Sequence, residues 1–267
     1  LMTLREACLT GTVLKDELII DAHAHMGPWY NFHVPEGGSA TSMVHAMDLV
    51  GFDTVIASPH IAIGPDYRQG NEDVAAAARE FPGRIMAFVT INPNYGRAEI
   101  EKDIAYWDQK TGILAFKLHP STHGYPASGE NYYPVYEYAN AHGLPILSHC
   151  WDGDPRGASS VVNGLAGQFA NVSYIIGHSA SGWQVMEQGV REAKARENVY
   201  LDLTGSRLLR GLLEEMVRGI GAERVLFGTD VPFIDPRPGL GRVLMARISD
   251  DEKRLILGLN AKRLFRL

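Results

Sequence analysis

Short apolar, β-branched runs alternate along the chain with longer amphipathic segments. The runs predict strands over Leu18–His25, Thr54–Ser58, Ile85–Ile91, Ile113–His119, Pro145–Cys150, Val172–Gly177, Val199–Thr204 and Arg224–Gly228. Between them, apolar positions recur at helical spacing over Ala40–Val50, Asn71–Phe81, Arg97–Gln109, Tyr133–His142, Gly182–Arg196 and Leu208–Arg218. Strands that alternate with helices build parallel βαβ units. Eight such units in 267 residues match a single (β/α)8 barrel, which uses about 250 residues. No linker, composition shift or low-complexity tract divides the chain, so residues 1–267 are expected to form one α/β domain.

A doubly wound open sheet is the rival architecture. The polar residues decide between them, because they cluster at the C-terminal ends of strands one, four, five, six and eight. A barrel gathers those ends at one mouth, where its active sites lie. An open sheet would usually keep strands one and eight far apart.

The first strand ends Asp21-Ala22-His23-Ala24-His25. Side chains alternate along a strand, so Asp21, His23 and His25 are expected on one face, and two imidazoles one pleat apart can chelate one ion. The fifth strand closes on His149, the sixth on His178, and the eighth runs Phe227-Gly228-Thr229-Asp230. One strand-end histidine is usually a plain hydrogen-bonding residue. Four, with an aspartate, offer the imidazole nitrogens and carboxylate oxygen that a borderline divalent ion accepts, and a position stays open for water.

Composition narrows the class further. The net charge of −6, with no Lys/Arg-rich run, argues against a nucleic-acid footprint. Two cysteines, Cys8 and Cys150, cannot staple a chain of this size, so a reducing compartment fits. No stretch approaches the roughly 18 apolar residues of a membrane span. A cytoplasmic enzyme acting on a small molecule is the expectation, with a homo-oligomer allowed.

Other chemistries fail on order or spacing. Gly177-His178-Ser179-Ala180-Ser181 approximates a nucleophile elbow, but that fold needs a histidine after its serine, and all ten histidines lie at or before 178. Neither phosphate-binding glycine signature is present. A non-catalytic metal barrel would use a closed set of four ligands, often with cysteine. Cys150 follows His149 and should face the helices instead.

Asp-Ala-His-Ala-His, the strand-end His149 and His178, and Gly-Thr-Asp-Val-Pro around Asp230 resemble the amidohydrolase superfamily. The match is best to its amidohydrolase-2 branch, which includes the aminocarboxymuconate-semialdehyde decarboxylase-like enzymes. The segment Ile256–Phe265 is similar to that branch's usual ending, so the resemblance spans residues 19 to 265. It implies that His23, His25, His149 and Asp230 hold a catalytic ion, with zinc expected. It also implies that His178 is an acid–base or substrate-orienting group, and Asp230, touching both metal and water, is then expected to accept the proton of activated water and pass it to a leaving group.

Phe116-Lys117-Leu118-His119-Pro120 is similar to the segment around the carbamylated lysine of dihydroorotases. Lys117 and His178 would then join a second ion; one ion remains the expectation, with Lys117 otherwise facing a carboxylate of the substrate or of Asp21. Two reactions compete. Hydrolysis of an amide or lactone is favoured by the Lys117 segment, and non-oxidative decarboxylation of an aromatic or unsaturated acid is the alternative. Substrate contacts are expected among the loop residues His60, Tyr67, Arg68, His119, His123, Tyr125, Trp151, Asp152, Arg207 and Arg237.

Overall fold

The computed structural model describes residues 2–12, 14–150 and 153–267. Strands β1 (Ile20–Met26), β2 (Thr54–Pro59) and β3 (Ile85–Ala87) pair in parallel. So do β4 (Val89–Thr90), β5 (Phe116–Leu118), β6 (Pro145–His149), β7 (Ser173–Gly177), β8 (Val199–Asp202) and β9 (Val225–Leu226). The strand expected at Ile85–Ile91 is thus split at Phe88, whose side chain turns into the inner cluster. The Phe88 amide still donates to Ala57 O, which joins the two sheets on that side.

Backbone hydrogen bonds join them on the other side as well. The Ala22 amide donates to Phe227 O, Asp230 to His23 O and His25 to Val231 O, each at 2.9 Å. A ring of parallel strands results, with helices between successive strands: a (β/α)8 barrel. The helices at Ala40–Val50 and Tyr133–His142 have the expected bounds. The expected Asn71–Phe81 helix begins earlier, at Tyr67, where Asp66 caps the amide of Gln69. The helix Ser159–Gln168 was not expected, because its apolar spacing is interrupted by serines and glycines.

Two apolar layers form the core. Ile20, Ala22, Ile56, Phe88, Leu147 and Ile175 fill the barrel interior, and Ala261 and Phe265 of the last helix close its floor. The larger cluster lies between the strands and the outer helices. The side chain of Asn260 ties the last helix to β9, donating to Ala222 O at 2.7 Å and Val225 O at 2.9 Å.

Just before it, Gly258 lies in a π-helical turn, Leu255–Leu259, that runs against the chain entering β1. A Cβ there would press into the carbonyl of Leu18. Gly258→Ala should therefore cost about 1–3 kcal/mol of stability, since packed backbone has nowhere to move. Chemical denaturation with an unchanged m-value would measure it.

Candidate metal centre and active-site cavity

The barrel gathers the strand-end residues at one mouth. Alternation along β1 is broken by a bulge between Asp21 and Ala24. Ile20 and Ala22 point into the barrel interior, and beyond the bulge His23 and His25 take over that face. Asp21 therefore does not share the histidines' face, contrary to strict alternation. It is buried against Thr229, accepting from that residue's hydroxyl and amide and from the His23 amide at 3.0 Å.

His23 Nδ1 lies 2.6 Å from Asp202 Oδ2, and His25 Nδ1 lies 3.1 Å from the carbonyl of Ser58. Each ring's other nitrogen, Nε2, faces inward toward Asp230 Oδ1, at 3.5 Å from His23 and 3.3 Å from His25. A candidate ligand atom from each of these three residues falls within 4.8 Å of the others, and all three residues are buried. Among the described residues, no hydrogen-bond donor reaches the buried Asp230 Oδ1. Three lone pairs converging, with Lys117 Nζ reaching only that of His23, is unfavourable for a protein alone and fits a divalent cation.

Protonation states agree with that reading. Burial first, then the nearby charge of Lys117, holds both His23 and His25 well below the ordinary imidazole range, leaving them neutral as ligands must be. Burial also raises Asp230 above the usual carboxylate range. His178 is pushed down to about 4 by burial, with Asp230 opposing. Its Nδ1 stands 3.8 Å from Asp230 Oδ2, so the two oxygens of Asp230 face different partners.

His178 and Asp230 both adopt left-handed backbone, with φ of 61° and 64°. Non-glycine residues rarely accept that conformation, and such strain concentrates at working sites. It turns each side chain off its strand and over the mouth. Gly228 makes room beside them, since a Cβ there would sit 2.9 Å from the Cβ of His23.

Lys117 is fully buried and points inward, as its strand position requires. Its Nζ lies 2.6 Å from His23 Nε2, and its charge is felt by Asp230 and Asp202, the acids nearest in effect; the expected partner Asp21 is engaged elsewhere. Burial lowers the amine to about 8. His149 sits at the same floor but outside the three-residue group. Its ring stacks on His119 at 3.8 Å between centroids and meets His178 edge-on at 4.4 Å.

Above these groups opens a cavity of about 710 Å³. Of the loop residues named as substrate contacts, His60, His119 and Arg207 line it. Its most distinctive wall was missed in the sequence: Trp29 and Phe32 from the loop after β1, and Phe233 three residues beyond Asp230. Phe32 and Phe233 stack at 4.4 Å, and His60 stacks on His25 with ring planes 9° apart. Asp202 was missed as well, although it ends β8 as His149 ends β6.

Several expected substrate contacts lie elsewhere. Arg68 is a correction: its guanidinium pairs with Asp103 at 3.0 Å and Glu99 at 2.9 Å on the outer surface. Tyr67 is buried in the outer core, with its hydroxyl on Asp103. Tyr125 packs behind the mouth against Tyr132, and Arg237 pairs with Asp235 beside it in sequence. Trp151 and Asp152 lie outside the described residues. Cys150 is buried in the outer core, where burial pushes its thiol up to about 12, so it is no nucleophile.

His123 is buried beneath the cavity, its Nδ1 3.2 Å from the Tyr132 hydroxyl. Burial lowers it to about 4, and His60 to about 3. Both lie below the ordinary value of about 6.5 that an unfolded chain keeps. Their stabilising contribution is complete above pH 6.5 and is lost as the pH falls toward 4, because the unfolded chain takes up protons first. Melting temperatures of metal-free protein should decline steadily across that window.

Comparison with known proteins agrees with the architecture. The Amidohydro_2 amidohydrolase family model matches residues 20–267. No curated protein matches the chain by sequence. Among solved structures, 5-carboxyvanillate decarboxylase from Sphingomonas paucimobilis superposes with a TM-score of 0.73 at 16% identity, covering 94% of this chain and 100% of that one. The Novosphingobium aromaticivorans enzyme of the same name, complexed with manganese and 4-hydroxy-3-methoxy-5-nitrobenzoic acid, gives 0.73 at 14%, covering 95% and 97%. A dihydroxybenzoic acid decarboxylase from Polaromonas sp. JS666, with bound manganese and 2-nitroresorcinol, gives 0.70 at 16%, covering 94% and 97%. At these identities the structures speak for the barrel fold, and the family model, matching nearly the whole sequence, places this chain in the amidohydrolase family.

Proposed function

We propose that this protein is a metal-dependent, non-oxidative decarboxylase of a planar aromatic carboxylic acid. The observation that carries the reading is the aromatic wall of Trp29, Phe32 and Phe233, which lines the same cavity as His25 and Asp230 and brings the Phe233 ring to 5.9 Å from that of His25. A flat ring fits against such a wall, and ring stacking gives about 0.5–1.5 kcal/mol beyond simple burial. Hydrolysis, expected first from the Lys117 segment, has no comparable support in the cavity. The decarboxylase reading also draws support from similar folds that hold aromatic acids or their analogues.

His23, His25 and Asp230 would hold the ion through Nε2, Nε2 and Oδ1, with His149 as the proposed fourth donor. Manganese or zinc suits that set. A bound divalent ion supplies Lewis-acid anchorage for the substrate carboxylate and a neighbouring oxygen. The aromatic wall holds the ring plane and excludes water from the reacting carbon. Asp230 Oδ2 delivers a proton to the carbon bearing the carboxylate. The bond to that carboxylate then breaks, its electron pair restores the aromatic ring, and CO₂ leaves. His178 Nδ1 is the group placed to relay the replacement proton from solvent to Oδ2.

The decisive assay offers metal-reconstituted protein a panel of hydroxybenzoates, lactones and cyclic amides. CO₂ release from hydroxybenzoates alone is expected; turnover of a lactone or amide without CO₂ overturns the reading. Within the active panel, Phe233→Ala should raise KM by about 2- to 10-fold, the loss of one stacking partner, with a smaller change in kcat. Steady-state kinetics on the best hydroxybenzoate would measure it.

A further inference from the structure

Asp202 is fully buried at the end of β8 and touches three partners. Oδ1 accepts the amides of His178 at 2.7 Å and Thr204 at 3.1 Å. Oδ2 meets His23 Nδ1 at 2.6 Å. Behind it, Arg242 braces the following turn by donating to Leu203 O at 2.8 Å and Gly205 O at 3.3 Å. The carboxylate thus cannot easily swing away from either neighbour.

We propose that Asp202 is a positioning residue that locks His23 as the Nδ1–H tautomer and fixes the distance between the metal site and His178. The inference rests on reading His23 as a metal ligand. Two amides would be capped equally well by an asparagine carbonyl, so Oδ1 alone does not call for a charge. What the carboxylate adds is at Oδ2, which in its ionised form can only accept. It therefore requires the proton of His23 on Nδ1 and leaves the lone pair of Nε2 aimed inward. The contact from Lys117 Nζ to that same Nε2 is an independent sign that Nε2 bears a lone pair.

An asparagine would present an N–H₂ donor in place of Oδ2. His23 Nδ1 would have to accept, its proton would move to Nε2, and the nitrogen aimed at the ion could no longer bind it. Carboxylates that orient ligand histidines in this way act on affinity more than on folding. Oδ1 meanwhile holds the left-handed His178 through its amide, so one side chain sets both the ligand and the acid–base residue.

The test uses the metal-free protein with ¹⁵N-labelled histidine. In the wild type, His23 should show a protonated Nδ1 and a bare Nε2. In Asp202→Asn that pattern should invert, while Mn²⁺ or Zn²⁺ binds about 10- to 100-fold more weakly by calorimetry and the metal-free melting temperature changes little. A variant that binds the ion as the wild type does overturns the proposal. So does wild-type His23 protonated at Nε2, a result that needs no variant to fold. Protein that binds no divalent ion removes the metal-ligand reading beneath it. Protein that binds the ion and releases no CO₂ leaves Asp202 in its role and removes only the decarboxylase.

Discussion

His23→Ala leaves a folded barrel that holds no metal and has no measurable turnover. Two consequences combine in this substitution. The inward Nε2 disappears from a three-residue group whose other members, His25 and Asp230, hold a divalent ion far less tightly even with His149, which lies outside that group. Asp202 Oδ2 loses its ring partner and is left buried, which costs about 1–3 kcal/mol. The outer apolar cluster and the strand ring do not depend on the ring of His23, so far-ultraviolet dichroism should be unchanged. Elemental analysis of protein purified without chelator checks the first claim. A variant that retains a full equivalent of metal places the ion elsewhere.

Much of this site was legible because a barrel converts sequence position into spatial position. Any polar residue that ends an apolar strand arrives at the same mouth, so His149, His178 and Asp230 could be placed from order alone. Helix bounds were legible where local chemistry punctuates them, as at Ser39 and Gly51 around Ala40–Val50. The bulge in β1 was not, since Asp-Ala-His-Ala carries no glycine or proline to announce it, and its cause is pairing with β2 and the segment after β9. Arg68 misled for a similar reason. Its partners Asp103 and Glu99 sit on the next helix, some thirty residues away, and only the fold brings them together. Asp202 was hidden by its neighbours: Leu201-Asp202-Leu203-Thr204 reads as a strand that continues, whereas the chain turns at the aspartate.

His178→Asn should keep the metal and lower kcat by about 10²–10⁴-fold, the usual range for a lost acid–base group. Asparagine is the informative replacement. It tolerates the left-handed backbone that His178 adopts, and its amide can still donate to Asp202, so the loop keeps its shape. What it lacks is a titratable nitrogen opposite Asp230 Oδ2. In the proposed reaction that oxygen loses its proton to the ring in every cycle. Without His178 it must recover one from water that the aromatic wall largely excludes. The defect should therefore fall on kcat and leave KM nearly unchanged, because His178 restores a proton and does not anchor the ring. Metal stoichiometry measured on the same sample separates the two accounts of the centre. Full metal with slow turnover supports one ion and an acid–base histidine. Half the wild-type metal would mean that His178 holds a second ion, and Lys117, buried beside His23, would become the group to examine for the bridging modification.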